Sequence, residues 1–284
     1  MRPLFLASAV AAGCGPSLVG ADGPGGVVAR RCPDVAVESA LCLTTNYGGG
    51  GAIVAVGADS GETCSVLDAA ALGTPTRGRN IAWIGDTLLL CDREHGSLDV
   101  HERLAQVDLA SGSRRWSGFT CTGLAGDDDG GFVVQPTSPY LLRPAERYAS
   151  YDDAVRGAAR QVFANARLFG ASTIARDTLL VAGWSARRLE TFVLSADEAS
   201  ADVELRGHLP SDFDPASAPG EELSGSSAVD GRLFTLNRAG TLREFDHEGQ
   251  LVRDAIDMAP ASTDYAFEPD NRSLGLACRT GLSP

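Results

Sequence analysis

The chain holds 284 residues, 44% of them hydrophobic, with a formal net charge of -13. A chain of that size buries a sizeable core, and its charge repels phosphate backbones, which argues against nucleic acid as a partner. All 24 basic residues are arginine, so Schiff-base lysines, the phosphate-loop lysine and Ser–Lys hydrolysis are excluded as well.

Residues 1–13 read as a signal peptide. Met1-Arg2-Pro3 is a minimal positive start and residues 4–12 form an apolar run, far too short to cross a bilayer as a mature helix. The run ends Val10-Ala11-Ala12-Gly13-Cys14, and small residues followed at once by Cys resemble the lipobox of bacterial lipoproteins, with Ala11 where that family usually has Leu. The resemblance implies cleavage before Cys14 and lipid attachment to its thiol. Gly15 rather than Asp at the next position implies, by the same resemblance, the outer membrane. Ordinary signal-peptide cleavage and a buried first strand are the alternatives. Residues 14–26, rich in Gly and Pro, read as a flexible tether. Residues 27–284 then form the folded domain.

That domain is organised by a recurring phrase of strand, turn and strand. Its clearest copy is Ala228-Val229-Asp230-Gly231-Arg232-Leu233-Phe234-Thr235-Leu236, running on to Glu244-Phe245-Asp246. Anchors for the phrase are Ile53, Leu88, Phe132, Leu179, Leu233 and Leu274, at spacings of 35, 44, 47, 54 and 41. Turn aspartates precede four of them: Asp86, Asp129, Asp177 and Asp230. Six units of this length, each holding several short strands, match the period of a propeller blade, because a lone four-stranded sheet cannot bury both faces whereas ringed neighbours can. The predicted fold is all-β, a six-bladed β-propeller, with another blade number or a large β-sandwich as alternatives. Small residues before the anchors, as in Gly123-Leu124-Ala125-Gly126 and Ser224-Gly225-Ser226-Ser227-Ala228, suit innermost strands crowding an axis. Val27-Val28-Ala29 and Val35-Ala36-Val37 look like spare strand segments that complete the C-terminal blade, which would leave no sheet edge open.

Apart from Cys14 there are six cysteines: Cys32, Cys42, Cys64, Cys91, Cys121 and Cys278. In an exported protein an even set suggests disulfides, with 15 connectivities open. Propeller topology favours Cys32 with Cys278 to staple the closing blade and Cys91 with Cys121 inside one unit, leaving Cys42 with Cys64. Buried free thiols are the alternative. Asp127-Asp128-Asp129-Gly130 lacks the spacing of a calcium loop, so it reads as a solvated turn. Residues 143–161 suggest an extended outer hairpin or a helical insertion, and residues 210–222 a second insertion.

Motifs for catalysis are missing. None of the four histidines sits in a His-Glu-x-x-His pattern, and there is no Gly-x-Ser-x-Gly elbow, phosphate loop or dinucleotide loop. No catalytic residue, cofactor or metal ligand is therefore assigned. One feature stands out. Arginines recur in loops after the second strand of a unit: Arg93, Arg187 with Arg188, Arg238 and Arg279, with His95, Trp184 and Asn237 nearby. Such loops gather on one face of a propeller, where guanidinium groups match carboxylate or phosphate and Trp184 offers a ring to stack upon. Solvated loop charges paired with Asp92, Glu94 and Glu190 are the competing explanation.

Ile174-Ala175-Arg176-Asp177-Thr178-Leu179-Leu180-Val181-Ala182 and Val229-Asp230-Gly231-Arg232-Leu233-Phe234 resemble NHL-type six-bladed propellers. Val107-Asp108-Leu109-Ala110-Ser111-Gly112-Ser113-Arg114-Arg115-Trp116 is similar to a quinoprotein-type repeat. The resemblance covers most of residues 40–280 and implies a fold shared by lactonases, lyases, dehydrogenases and binding modules, so it does not choose among them. The expected function is a lipid-anchored binding or scaffold module of the bacterial cell envelope, periplasmic or surface-facing, with an envelope protein or small anionic ligand as partner. The alternative is a channel-mouth enzyme of lactonase or lyase type using Ca²⁺, with Asp264, Asn80 and Asn46 as metal candidates.

Overall fold

The computed structural model of the chain describes residues 24–35, 40–46, 51–68, 70–73, 80–84, 87–92, 102–126, 130–138, 141–163, 172–175, 178–182, 189–194, 200–201, 203–208, 223–237, 240–246, 251–253, 256–257 and 275–280. The expected signal peptide, Cys14 and the acidic turn 127–129 lie outside them. So does the 210–222 insertion.

A helix, α1 (Pro24–Arg31), comes first, followed by β1 (Ala40–Asn46), β2 (Ala52–Gly57) and β3 (Thr63–Leu67). Next come β4 (Asn80–Ile84), β5 (Thr87–Asp92), β6 (Arg103–Val107) and the long β7 (Arg114–Gly126). β8 (Phe132–Ser138), β9 (Leu141–Leu142), β10 (Ala145–Tyr148), the short helix α2 (Tyr151–Arg156) and β11 (Gln161–Phe163) follow. The second half holds β12 (Ser172–Ala175), β13 (Thr178–Ala182), β14 (Leu189–Leu194), β15 (Ser200–Ala201) and β16 (Val203–His208). β17 (Leu223–Val229), β18 (Arg232–Asn237), β19 (Thr241–Phe245), β20 (Ile256–Asp257) and β21 (Leu276–Thr280) end the series.

Apart from β9, which pairs with β8, and β15, which pairs parallel with β11, pairing sorts these strands into four-stranded antiparallel units. From the inside outwards, blade one is β21-β1-β2-β3. Blade two is β4-β5-β6 plus the first half of β7, and the second half of β7 opens blade three, continuing through β8, β10 and β11. Blade four is β12-β13-β14-β16 and blade five is β17-β18-β19-β20. The innermost strands β21, β4, β7, β12 and β17 neighbour one another in turn and close a ring. The fold is a β-propeller.

Strands such as β2 and β5 are apolar almost throughout and buried on both sides, the pattern of a sheet sandwiched between neighbours rather than facing water. Leu41, Leu43, Ile53 and Ala55 of blade one meet Ile81, Leu88 and Leu90 of blade two. Its opposite face, carrying Cys42, Val54 and Val56, meets Phe234, Leu236 and Leu242 of blade five. Blades two and three join through Ala82, Leu89, Leu104, Leu124, Phe132 and Val134. Asp230 and Gly231 connect β17 to β18 with φ of 50° and 73°, the left-handed pair that a two-residue hairpin with strand-matching twist requires.

Four sequence expectations change. The repeat suggests six units, whereas the described strands form five blades in the ring. The anchors Leu88, Phe132, Leu179 and Leu233 do lie on the second strand of their blades, but Ile53 lies on the third strand of blade one. Leu43 of β1 is its counterpart, and moving the anchor there widens the first spacing from 35 to 45, beside the 44 and 47 that follow. The apparent sixth copy around Leu276 is the inner strand of blade one. Closure accordingly runs opposite to expectation: the C-terminal β21 completes the N-terminal blade. Residues 24–31 form a helix instead of a spare strand, and Val27 and Val28 bury its apolar side between blades one and two. Residues 143–161 combine both expected features, since β10 and β11 are outer strands and α2 sits in the turn between them. Ser150 caps α2 by accepting from the Asp153 N–H at 3.2 Å, and Gly157 ends it in the left-handed region.

The cysteines form three disulfides. Cys91 bonds Cys121 as expected; Cys32 bonds Cys64 and Cys42 bonds Cys278. The expected partners of Cys32 and Cys42 are exchanged because β1, not residues 27–37, is the strand beside β21, with Cys42 directly opposite Cys278. Cys32 directly follows α1 and ties that helix to β3.

Candidate functional site

The inner strands give the ring two distinct ends. Neighbours are tied at matching heights. The Cys278 N–H of β21 donates to Ser227 Oγ of β17 at 2.8 Å, and Asn80 Nδ2 of β4 donates to the Thr122 carbonyl of β7 at 3.0 Å. Arg279 of β21 lies over the Trp83 ring of β4, 5.6 Å from its centroid, and Thr280 bonds Asp230 beyond the end of β17. These inner strands therefore run in the same direction. One end of the ring, the entry end, carries their first residues and the last residues of the second strands. The exit end carries the Asp230–Gly231 turn.

Among the expected ligand-binding residues, Asn237 and Arg279 are described; Arg93, His95, Trp184, Arg187 and Arg238 lie outside the described residues. Asn237 ends β18 opposite Leu223, at the entry end. Its Oδ1 accepts the Thr241 N–H at 2.7 Å, closing the turn into β19. Arg279 differs from expectation. It sits inside β21, paired with Leu41 at the start of β1, which places it at the exit end. The two residues thus belong to opposite ends of the ring, and Arg279 lies over Trp83. The sequence misled here because Ser273-Leu274-Gly275-Leu276 mimics a second strand.

Buried carboxylates are the groups that catalysis would need most, and three appear among the described residues: Asp92, Glu146 and Glu244. Asp92 meets Arg114 at 3.1 Å, with side-chain exposures of 0% and 4%. Burial pushes the Arg114 guanidinium below its usual range and the Asp92 charge opposes that shift. Glu146 takes Arg143 at 3.0 Å and the Tyr148 hydroxyl; burial first, then this bond, raises the Tyr148 phenol. Glu244 joins Arg232 at 2.9 Å and Arg253, which also holds Asp59 of blade one. Burial lowers the Arg253 guanidinium, but its bonds to Asp59 and Glu244 outweigh that and raise it. Among the described residues, Asp92 and Glu244 are thus committed to partners on other strands or blades, and Glu146 to neighbours on or beside its own strand.

Of the metal candidates, Asn80 spends its amide nitrogen on the bond to blade three, Asn46 ends β1, and Asp264 lies outside the described residues. Among the described residues no group of three His, Cys, Asp or Glu side chains is placed to hold a metal ion.

No family model matches the chain. No curated protein matches its sequence. Solved structures do resemble it in shape. A chain of a nidogen/laminin complex is 11% identical, with a TM-score of 0.49, across 86% of this chain and 100% of that one. A glutaminyl cyclase of Myxococcus xanthus is 13% identical over 64% and 71%, with a TM-score of 0.43. A gluconolactonase of Xanthomonas campestris is 18% identical over 75% and 70%, with a TM-score of 0.44. All of these scores fall below 0.5, so the propeller assignment rests on strand pairing and ring closure.

The three disulfides point to an extracytoplasmic protein. No described helix is long and apolar enough to cross a membrane.

Proposed function

We propose that the chain is an exported, lipid-anchored propeller that serves the bacterial cell envelope as a non-catalytic binding or scaffold module. The observation that carries the non-catalytic half is the commitment of Asp92, Glu146 and Glu244 to ion pairs and hydrogen bonds within the ring. A general base or metal ligand must be available to its substrate, and these are not. The anchored half rests on the apolar run ending at Cys14 and on the oxidising compartment that the disulfides require. The partner is an envelope protein or a small anionic ligand, met at the entry end, where Asn237 stands; in the sequence Arg93, Arg187 and Arg238 fall between the second and third strands of their blades.

Fractionation of cells expressing the full chain tests the anchor. The wild type is expected in the outer-membrane fraction and Cys14→Ala in the soluble fraction; equal distribution of both would remove the lipid anchor. Thermal unfolding with calcium and with EDTA tests the rest. Identical transitions are expected, and a calcium-dependent rise would return the metal-dependent enzyme to the front.

A further inference from the structure

The two faces of blade five differ in kind. Phe234 and Leu236 of β18 turn to blade one and join its apolar core. Side chains alternate along a strand, so Thr235 and Asn237 turn the other way, towards blade four, whose inner strand β12 neighbours β17. Ser226 of β17 pairs with Thr235 across the ladder and shares that face. Ser226, Thr235 and Asn237 are 4%, 1% and 1% exposed. Yet Ser226 Oγ, Thr235 Oγ1 and Asn237 Nδ2 find no hydrogen-bond partner among the described residues.

A buried polar group without a partner costs stability, and three on one face call for an occupant. Their geometry selects its chemistry. Directly opposed residues such as Ser226 and Thr235 stand about 5 Å apart at Cβ, and Thr235 and Asn237, two positions apart, about 7 Å, so one small group reaches all three. Asn237 Oδ1 accepts the Thr241 N–H at 2.7 Å, which fixes the amide so that Nδ2 can only donate. Both hydroxyls can donate as well. Arg243 stands opposite Thr235 in the ladder. Three converging donors match the acceptor oxygens of an anion.

We propose that Ser226, Thr235 and Asn237 form a subsite at the boundary of blades four and five that binds the oxyanion, carboxylate or phosphate, of a small ligand. This rests on the binding-module reading and names the ligand class for it. The site extends inwards from the entry end, because Asn237 ends β18 there.

The test uses the full chain, with acetate and inorganic phosphate as probes, chloride at matched ionic strength as the blank and glycerol as the neutral control. A saturable rise in melting temperature with acetate alone identifies a carboxylate site, and with phosphate alone a phosphate site. Ser226→Ala and Thr235→Val are expected to raise the melting temperature of the free protein, because each deletes an unpartnered hydroxyl, and to weaken oxyanion binding at least tenfold. Asn237→Asp keeps the oxygen that closes the turn, loses the donor and is expected to abolish binding. No response beyond chloride, an equal response to glycerol, or wild-type affinity in Thr235→Val would overturn the proposal. The fractionation of Cys14→Ala is independent: oxyanion binding by a protein that proves unanchored would sink the envelope role and leave this site standing.

Discussion

Removing the Cys42–Cys278 bond is predicted to cost more than removing either other disulfide, because of the three it alone joins the N-terminal and C-terminal parts of the chain, within blade one. Cysteine separations are 236 residues for Cys42–Cys278, 32 for Cys32–Cys64 and 30 for Cys91–Cys121. If a cross-link acts by restricting the unfolded chain, those loops correspond to about 5.5, 3.7 and 3.6 kcal/mol at 25 °C. The perturbation is the pair Cys42→Ala and Cys278→Ala, compared with Cys32→Ala and Cys64→Ala. Alanine is the conservative choice, since Cys42 and Cys278 are buried among Val54, Val56 and Leu236. Urea unfolding followed by near-ultraviolet circular dichroism reads the midpoint. The first pair is expected to lose roughly 2 kcal/mol more than the second. Hydrogen exchange should show amides 276–280 losing protection first in that variant, since β21 is then held by its pairing with β1 and by non-covalent contacts with β17 and β4, with no covalent tie. An equal or smaller loss than in the Cys32–Cys64 variant, with unchanged protection of β21, would refute this account of ring closure.

Two further outcomes concern the buried polar groups. Asp92→Asn strands the buried Arg114 guanidinium and should cost about 3–5 kcal/mol, whereas Asp92→Asn combined with Arg114→Met should recover most of that loss in urea unfolding; a single-variant loss below about 1 kcal/mol would show the pair to be unimportant. Tyr148 has its phenol raised by burial and by Glu146, so the folded state holds the proton more tightly than the unfolded chain. Stability from this group is therefore full below the unfolded pKa of about 10 and falls as pH rises beyond it. Absorbance at 295 nm should show a tyrosine that ionises only with unfolding, and Tyr148→Phe should remove that component and leave the others unchanged.

The blades were legible in sequence where a strand buries both faces. Leu88-Leu89-Leu90 and Phe132-Val133-Val134 need apolar neighbours on either side, so the period follows from the residues themselves. Asp230-Gly231 marks its hairpin for the same local reason. Blade one was harder to read because its strands come from both ends of the chain: nothing local to Leu276-Ala277-Cys278 says that Leu41-Cys42-Leu43 lies beside it. The helix at residues 24–31 was hidden for a related reason, as Val27 and Val28 have an apolar pattern suited to either a strand or a short helix, and packing between two blades decides. The subsite on blade five had a signal in Ser226, Thr235 and Asn237, polar residues at strand positions. Their shared face appears only once the register of β17 against β18 is known.

Closure of the ring by β21 in an oxidising compartment is tested most directly by a disulfide map of the full chain purified from a bacterial envelope fraction. Non-reducing digestion and mass spectrometry should yield peptides linked through Cys42 and Cys278, Cys32 and Cys64, and Cys91 and Cys121. A peptide joining Cys32 to Cys278, or recovery of Cys42 and Cys278 as free thiols, would contradict it.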